Sequence, residues 1–355
     1  MVMGNTRRMF FGGNTSNGFY SLHNNIINEK RKKLYILKGM PGGGKSSLMK
    51  RIGEYLNKQG YTVEFHHCPS DPDSLDSILI TEMKIAIVDG TAPHIMDPVY
   101  PGISDEIIDL AQFIDKKKLI NNEEEIIRAK AANRRAYFNA FSYFKSLRHI
   151  HDIIIERNKQ GVDFKGINIR TKLIIEEIFS KNKTEEEDLL FSERHAFTTA
   201  NSPKGLVDYT NTILEGIRSI YYIEGEKGTG KSTILKKIYD EAVIRGLAVE
   251  VYHDPTFPEK IETLNIKELD TCITSNKNGE KYATEVINLN EFFDESVIDE
   301  KDYELYNLLV EKATFSLVEA RKNHYIMEKI YIPTIDYNRI DQVRESLLKE
   351  ILSLA

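Results

Sequence analysis

Two stretches of this chain have the residue types and the spacing needed to hold a phosphate group. The first runs from Gly39 to Ser46 and the second from Gly225 to Ser232, and both match the pattern G-x-x-x-x-G-K-[ST]. Glycines let successive backbone N–H groups point at one anion, and the unpaired N–H groups of a following helix add a favourable dipole. The lysine supplies positive charge to the β- and γ-phosphates, and the hydroxyl after it ligates Mg²⁺. The sequence therefore predicts two ATP-binding P-loops.

The residues predicted to contact ATP lie in and directly after these two loops. In the first loop they are Gly39, Gly42, Gly43, Gly44, Lys45, Ser46 and Ser47. In the second loop they are Gly225, Gly228, Thr229, Gly230, Lys231, Ser232 and Thr233. The hydroxyls of Ser46 and Ser232 are the predicted Mg²⁺ ligands within the loops.

A carboxylate completes the first site but not the second. The apolar run Ile85–Val88 ends in Asp89, which is typical of the Walker B residue that holds Mg²⁺, although Asp89-Gly90 is also a common turn pair. The matching position of the second stretch is Ser275, and Asp254 and Asp270 are weak substitutes for the lost charge. We therefore predict that Lys45, Ser46 and Asp89 carry catalysis, while the second site is degenerate and regulatory.

Other side chains are candidates for contact with phosphate or water. His67 and His253 occupy equivalent positions after a predicted strand, and His94 closely follows Asp89. Each is also compatible with a hydrogen-bonded structural histidine. His66-His67-Cys68 suggests a metal site only weakly, because just the central histidine recurs in the second half. Three arginines on a predicted helix could act as arginine fingers, but a solvated helix face is the favoured interpretation for them: Arg134, Arg135 and Arg148.

The chain repeats itself with a shift of 186 residues. Positions 35–89 then align with positions 221–275 without a gap, and roughly 17 of these 55 pairs are identical where composition alone would give about three. The repeat predicts one P-loop unit at 1–190 and a second at 191–355. The polar stretch 181–188 is the predicted linker.

Each unit is predicted to be an α/β domain with a helical appendage. In the first unit the pattern predicts strands at 34–38, 61–66 and 84–88 and a helix at 46–59, which is typical of a parallel sheet in a P-loop NTP hydrolase fold. Helices are predicted at 104–115 and 121–157, within an appendage at 101–180. A shorter equivalent is predicted at 300–329. An aromatic and aliphatic stripe on the longer helix favours a packing face: Tyr137, Phe141, Phe144, Leu147, Ile150 and Ile154.

Composition limits the class of protein. The chain of 355 residues has a formal net charge of −6, which disfavours a dedicated nucleic-acid binder. Two cysteines cannot form a disulfide framework, and no apolar run is long enough to cross a membrane. The start of the chain has no apolar segment typical of a secretory signal. We therefore expect a cytoplasmic protein without a membrane partner.

With these features in place, the chain resembles a family of uncharacterised duplicated P-loop ATPases of Gram-positive bacteria, often labelled ATPase or nucleotide kinase. The resemblance rests on the two P-loops, on Arg8–Thr15, on His67–Asp71 and on Asp89–Pro98, and it extends over nearly the whole chain. It implies a P-loop NTP hydrolase fold with ATP as the ligand. It implies no particular substrate.

Three functions remain open at this point. The leading prediction is a Mg²⁺-dependent ATPase whose helical appendages transmit the nucleotide state to a partner, which is an unknown protein or a small-molecule acceptor. A nucleotide or small-molecule kinase is an alternative, although no arginine-rich lid motif is evident. An ATP-gated binding module with negligible turnover is another. Nucleic-acid remodelling is disfavoured by the acidic charge.

Overall fold

The computed structural model describes residues 3–180 and 190–354, and the predicted linker at 181–188 lies outside the described residues. The first half contributes eight strands: β1 (Thr6–Met9), β2 (Gly12–Thr15), β3 (Gly18–Ser21), β4 (Lys33–Lys38), β5 (Val63–Cys68), β6 (Asp71–Ile80), β7 (Ile85–Asp89) and β8 (Asp105–Asp109). Its helices are α1 (Lys45–Lys58), α2 (Lys116–Ile120), α3 (Glu123–Asn158) and α4 (Phe164–Phe179).

The second half repeats this sequence of elements. Its strands are β9 (Glu193–Ala196), β10 (Thr199–Ser202), β11 (Gly205–Asp208), β12 (Ser219–Glu224), β13 (Val249–His253), β14 (Ile261–Ile266), β15 (Thr271–Thr274) and β16 (Glu285–Asn288). Its helices are α5 (Thr210–Leu214), α6 (Lys231–Ile244), α7 (Glu300–Tyr331) and α8 (Tyr337–Ser353).

Each half forms one six-stranded sheet with the same strand order. The first sheet runs β1-β5-β6-β7-β4-β8, and the second runs β9-β13-β14-β15-β12-β16 when read in the matching direction. Two small hairpins, β2-β3 and β10-β11, stand beside the sheets. The tandem α/β architecture is thus confirmed, and the internal repeat extends from sequence to topology.

The sheets are mixed, however, and not wholly parallel as predicted. Strand β6 is antiparallel to both of its neighbours, β5 and β7, and β14 is antiparallel to β13 and β15 in the same way. Sequence reasoning missed β6 because its first half, with Asp71, Pro72 and Asp73, reads as a turn-rich loop. The predicted helix at 104–115 is also wrong, since strand β8 and a short 3₁₀ turn occupy that range.

The long helices α3 and α7 lie antiparallel against each other. The Asn133 amide donates to the Ala320 carbonyl at 2.7 Å, while Arg157 pairs with Asp302 at 2.6 Å further along both helices. The predicted stripe on α3 is a packing face, because Phe144 and Leu147 are buried against α7. The long helix of the second half is the shorter one, as predicted: α7 has 32 residues against 36 in α3, while α8 has 17 against 16 in α4.

The helix after each long helix packs on the sheet of the other half. From α4, Ile167, Ile174 and Ile178 belong to the core of the second sheet, and Ile340, Leu347 and Ile351 of α8 belong to the core of the first. The two halves thus exchange these helices symmetrically. The Tyr221 hydroxyl donates to Glu177 of α4 at 2.5 Å, and the Tyr35 hydroxyl donates to Glu350 of α8 at 2.8 Å.

A buried ionic ring joins the edge strands of the two sheets. Arg7 of β1 contacts Glu64 at 2.8 Å and Glu250 at 2.6 Å, and Arg194 of β9 contacts Glu64 at 2.7 Å. Burial would raise the pKa of Glu64, but Arg194 and Arg7 outweigh it and hold this pKa well below its ordinary value. Removing one partner from such a ring leaves a buried charge uncompensated, at a cost of about 3–5 kcal/mol.

Among residues 3–180 and 190–354, no helix combines the length and the apolar character needed to cross a bilayer.

The helix exchange predicts that a mutation in one half weakens the sheet of the other. Ile174→Ala in α4 should lower the free energy of unfolding by about 2–5 kcal/mol and speed hydrogen exchange in β12 and α6. Ile351→Ala in α8 should do the same in β4 and α1. Leu173→Ala, at an exposed position of α4, is the matched control. Faster hydrogen exchange in β4 for the Ile174 variant would contradict the assignment of α4 to the core of the second sheet.

Candidate functional site

The first glycine-rich loop joins strand β4 to helix α1. Gly42 and Gly44 have φ angles of 68° and 76°, and these left-handed conformations suit glycine because they carry little steric cost without a Cβ atom. Helix α1 begins at Lys45, and no side chain caps its start. The N–H groups of the first helical turn are therefore suited to bind an anion.

The lysine of this loop lies beside the carboxylate at the end of β7. Lys45 is buried, its Nζ donates to the Met40 carbonyl at 3.0 Å, and it lies 3.5 Å from Asp89 Oδ2. The other Asp89 oxygen accepts from the backbone N–H and the hydroxyl of Thr91. The Ser46 hydroxyl accepts from the Leu75 N–H at 2.9 Å. The fold thus brings together the three residues predicted to carry catalysis.

Sequence reasoning missed a second carboxylate at this place, Asp76 of β6. The pairing of Ser77 with Val88 puts Asp76 opposite Asp89, across the antiparallel strand that was not predicted. Burial raises the pKa of Asp76 to about 6, with Asp89 adding to the rise and His94 opposing it. The repeat held a usable signal, because Asp76 aligns with Glu262 and an acidic residue is therefore kept in both halves.

The predicted histidine contacts are divided by the structure. His67 lies on β5, which β6 separates from β7, and its two ring nitrogens face the Pro72 carbonyl at 2.7 Å and Arg8 at 2.9 Å. Burial lowers the pKa of His67 to about 4. Both ring nitrogens of His67 thus face protein atoms. His94 is different, because its Nε2 lies 3.2 Å from Asp76 Oδ2, next to the loop.

The second glycine-rich loop repeats the backbone but not the charges. Gly228 and Gly230 have φ angles of 92° and 104°, and α6 begins at Lys231, followed by Ser232 and Thr233 in its first turn. Lys231 Nζ donates to the carbonyls of Gly225 and Glu226. Burial lowers the pKa of Lys231 to about 8.

The position equivalent to Asp89 holds no carboxylate in the second half. Ser275 stands at that position and hydrogen-bonds to the Glu262 backbone carbonyl at 2.9 Å through its N–H. Asp254 accepts the N–H groups of its own turn, from Thr256 and Phe257, and it lies close enough to Lys231 to oppose the lowering of the Lys231 pKa. Asp270 directly precedes the first residue of β15, at the end of that strand away from Ser275. His253, equivalent to His67, faces His195 at 2.8 Å.

The arginines on α3 do not converge on the first loop. Arg134 and Arg135 are exposed, as the favoured interpretation held. Arg148 crosses to the second half and pairs with Glu259 at 2.7 Å. Arg321 of α7 was not singled out from the sequence, and it crosses in the opposite direction to pair with Asp71 at 3.0 Å.

Each loop is covered by helices that belong to the other half. The Tyr337 hydroxyl of α8 donates to the Gly42 carbonyl at 2.9 Å, and Ile332 packs against Gly42. At the second loop, the Asn158 amide at the end of α3 donates to the Lys227 carbonyl at 2.8 Å. The Tyr303 hydroxyl of α7, a helix of the same half, also donates to Glu226 at 3.1 Å. A change in either loop is therefore felt by the helices that join the halves.

Glu262, the acidic residue of the second half that aligns with Asp76, predicts that the free energy of unfolding depends on pH. Removal from water, with Asp254 nearby, raises the pKa of Glu262 to about 8. The unfolded chain loses this proton above about pH 4.5 and the folded chain keeps it until about pH 8, so stability falls as pH rises between these values. Glu262→Gln should remove a slope of up to about 1.4 kcal/mol per pH unit in urea unfolding. An unchanged slope would show that Glu262 is ionised in the fold.

Comparisons with known proteins give no match for this chain: no protein-family profile, no curated protein and no solved structure is similar enough to count. The resemblance to duplicated P-loop ATPases therefore stays a prediction. A function for this chain has to be argued from its own residues and their geometry.

Proposed function

We propose that the chain binds ATP at both glycine-rich loops, acting as P-loops, and hydrolyses it at the first. The observation that carries this proposal is the assembly of Lys45, Ser46 and Asp89 at one end of the first sheet, with Lys45 Nζ 3.5 Å from Asp89 Oδ2. A lysine, a hydroxyl and a carboxylate around a glycine-rich helix start are the groups that phosphoryl transfer in P-loop enzymes requires.

The residues of the first site also suit a Mg²⁺ ion. The Ser46 hydroxyl and the Asp89 carboxylate are hard oxygen donors, which is the ligand type that Mg²⁺ prefers. Bound Mg²⁺ would neutralise negative charge on the β- and γ-phosphates. Lys45 would move its ammonium group from the Met40 carbonyl to the phosphates, and the loop N–H groups would hold the phosphate oxygens.

The second site is proposed to bind nucleotide without efficient turnover. It keeps the left-handed glycines Gly228 and Gly230 and the lysine Lys231, which are the parts that hold phosphate. Ser275 replaces the carboxylate, and the neighbouring Glu262 is held neutral at pH 7 by its raised pKa. A neutral acid adds little to the binding of a divalent cation, so this site keeps its phosphate-binding groups but has no carboxylate at the position equivalent to Asp89.

A second candidate function is an ATP-gated binding module, and the crossed helices favour it. Because Asn158 of α3 bonds to the second loop and Tyr337 of α8 bonds to the first, nucleotide at either loop changes the contacts of a helix from the other half. The long α3–α7 pair would then present the nucleotide state to a partner protein. Hydrolysis is not required for such a signal.

The hydrolysis proposal predicts unequal effects of the two lysines. Lys45→Ala should lower phosphate release at least about 100-fold, because it removes a charge aimed at the transferred group. Lys231→Ala should remove one of two bound nucleotides in equilibrium dialysis and lower turnover by less than about tenfold. Lys58→Ala, at the far end of α1, is the control. Full turnover in the Lys45 variant would overturn the assignment.

The gating proposal predicts that ATP binding changes hydrogen exchange in the helices even when ATP is not hydrolysed. Addition of ATP to the Lys45→Ala variant should slow hydrogen exchange in the last turn of α3, near Ile155 and Asn158, through binding at the second loop. Adding Lys231→Ala should abolish that change. If exchange in α3 is the same with and without ATP in both variants, the helices do not report the nucleotide state.

A further inference from the structure

Three side chains from separate parts of the first half converge beside the first loop. His23 follows the β2-β3 hairpin, Asp76 lies on β6, and His94 follows β7. One ligand atom from each lies within 4.8 Å of those of the other two. The imidazole rings of His23 and His94 are 4.3 Å apart at their centroids.

The cluster is buried and its polar atoms lack partners. His23 is 5% exposed, and His94 and Asp76 are each 7% exposed. His23 Nε2, His94 Nδ1 and Asp76 Oδ2 have no hydrogen-bond partner in the structure. Asp76 Oδ2 and His94 Nε2 lie 3.2 Å apart but do not meet hydrogen-bond geometry. Buried polar groups are nearly always satisfied, so three unsatisfied atoms in one place call for a ligand.

We infer that His23, Asp76 and His94 form a binding site for one divalent transition-metal ion of the Mn²⁺ to Zn²⁺ series. Two imidazoles and one carboxylate are a common three-residue set for such ions, and they leave coordination positions open for water or substrate. A zinc ion with bonds of about 2.0–2.1 Å holds its ligand atoms about 3.4 Å apart, so small side-chain rotations close the site.

The surroundings of His23 suit a metal ligand. Its Nδ1 lies 2.9 Å from the Ser21 hydroxyl, which leaves Nε2 for the metal and fixes the ring in the way that outer-shell partners of ligating histidines do.

The site belongs to the first half alone. In the second half the acid Glu262 accepts from the Thr199 hydroxyl at 2.9 Å and from the Asn276 amide at 3.5 Å, and it forms no metal-ligating group with the described histidines. Among residues 3–180 and 190–354, no other group of His, Cys, Asp and Glu has this metal-ligand geometry. The half that has the cluster is also the one that keeps Asp89.

This site is distinct from the proposed Mg²⁺ position, although Asp76 and Asp89 lie opposite each other on paired strands. The Mg²⁺ position has only oxygen donors from Ser46 and Asp89, whereas the cluster has two nitrogen donors. Imidazole selects zinc, iron or nickel over Mg²⁺. Excess Mg²⁺ should therefore not displace the ion from the cluster, and binding should not need nucleotide.

The test is titration of the tag-free, chelator-treated chain with Zn²⁺ in excess Mg²⁺ and without nucleotide. We expect one tightly bound equivalent by calorimetry and by elemental analysis after dialysis. Loss of an outer-shell partner typically weakens metal binding about 10- to 100-fold. His23→Gln, His94→Gln and Asp76→Asn each remove a direct ligand, so each should weaken Zn²⁺ binding by more than about 100-fold. Glu262→Gln and His253→Gln are matched controls in the second half and should bind like the unchanged chain.

A second readout guards against misfolded variants. Co²⁺ bound at the cluster should give a visible absorption band, and each of the three substitutions should abolish it while thermal unfolding stays cooperative. Less than about 0.2 equivalents of Zn²⁺ on the unchanged chain would overturn the inference. Undiminished Zn²⁺ binding in both histidine variants would overturn it as well, because the ion would then lie elsewhere.

Discussion

Neither hydrophobic core of this protein is complete without a helix from the other half. Helix α4 supplies Ile174 and Ile178 to the second sheet, and α8 supplies Leu347 and Ile351 to the first. Burial of such side chains is worth about 1.5–3 kcal/mol each, so each sheet loses a substantial part of its stability if the partner helix is withdrawn. The duplicated units therefore interlock through their cores, although the sequence reads as two consecutive units.

The same exchange of helices places each glycine-rich loop in contact with residues of the opposite half. The long helices α3 and α7 run antiparallel, and the last turn of each reaches a loop of the other unit, through Asn158 in one case and Ile332 just beyond α7 in the other. The buried ring of Arg7, Glu64 and Arg194 fixes the edge strands between them. Two sites that are far apart in sequence thus share helices and a charged interface.

The two halves share one fold but differ in the charged and metal-ligating residues at their strand ends. Strand order, hairpins and crossed helices are repeated. In the part of the chain that the structure describes, Asp89 and the cluster of His23, Asp76 and His94 have no counterpart in the second half. Packing constrains the repeated parts, because a change in one core residue is felt by neighbours from both halves. The charged residues at the strand ends are under no such constraint, so the second site could lose its carboxylate and keep its fold.

The sequence by itself determined the duplication, the α/β character and the two glycine-rich loops, because these depend on local spacing and on identities along the chain. It also predicted that Lys45 and Asp89 share one site, because the glycine-rich loop and the apolar run that ends in Asp89 match the P-loop and Walker B patterns. It could not determine the antiparallel strand β6, the exchange of α4 and α8, or the meeting of His23 with Asp76 and His94. Those depend on which strands pair and on where each long helix ends, and both are decided by burial of apolar surface between segments distant in sequence.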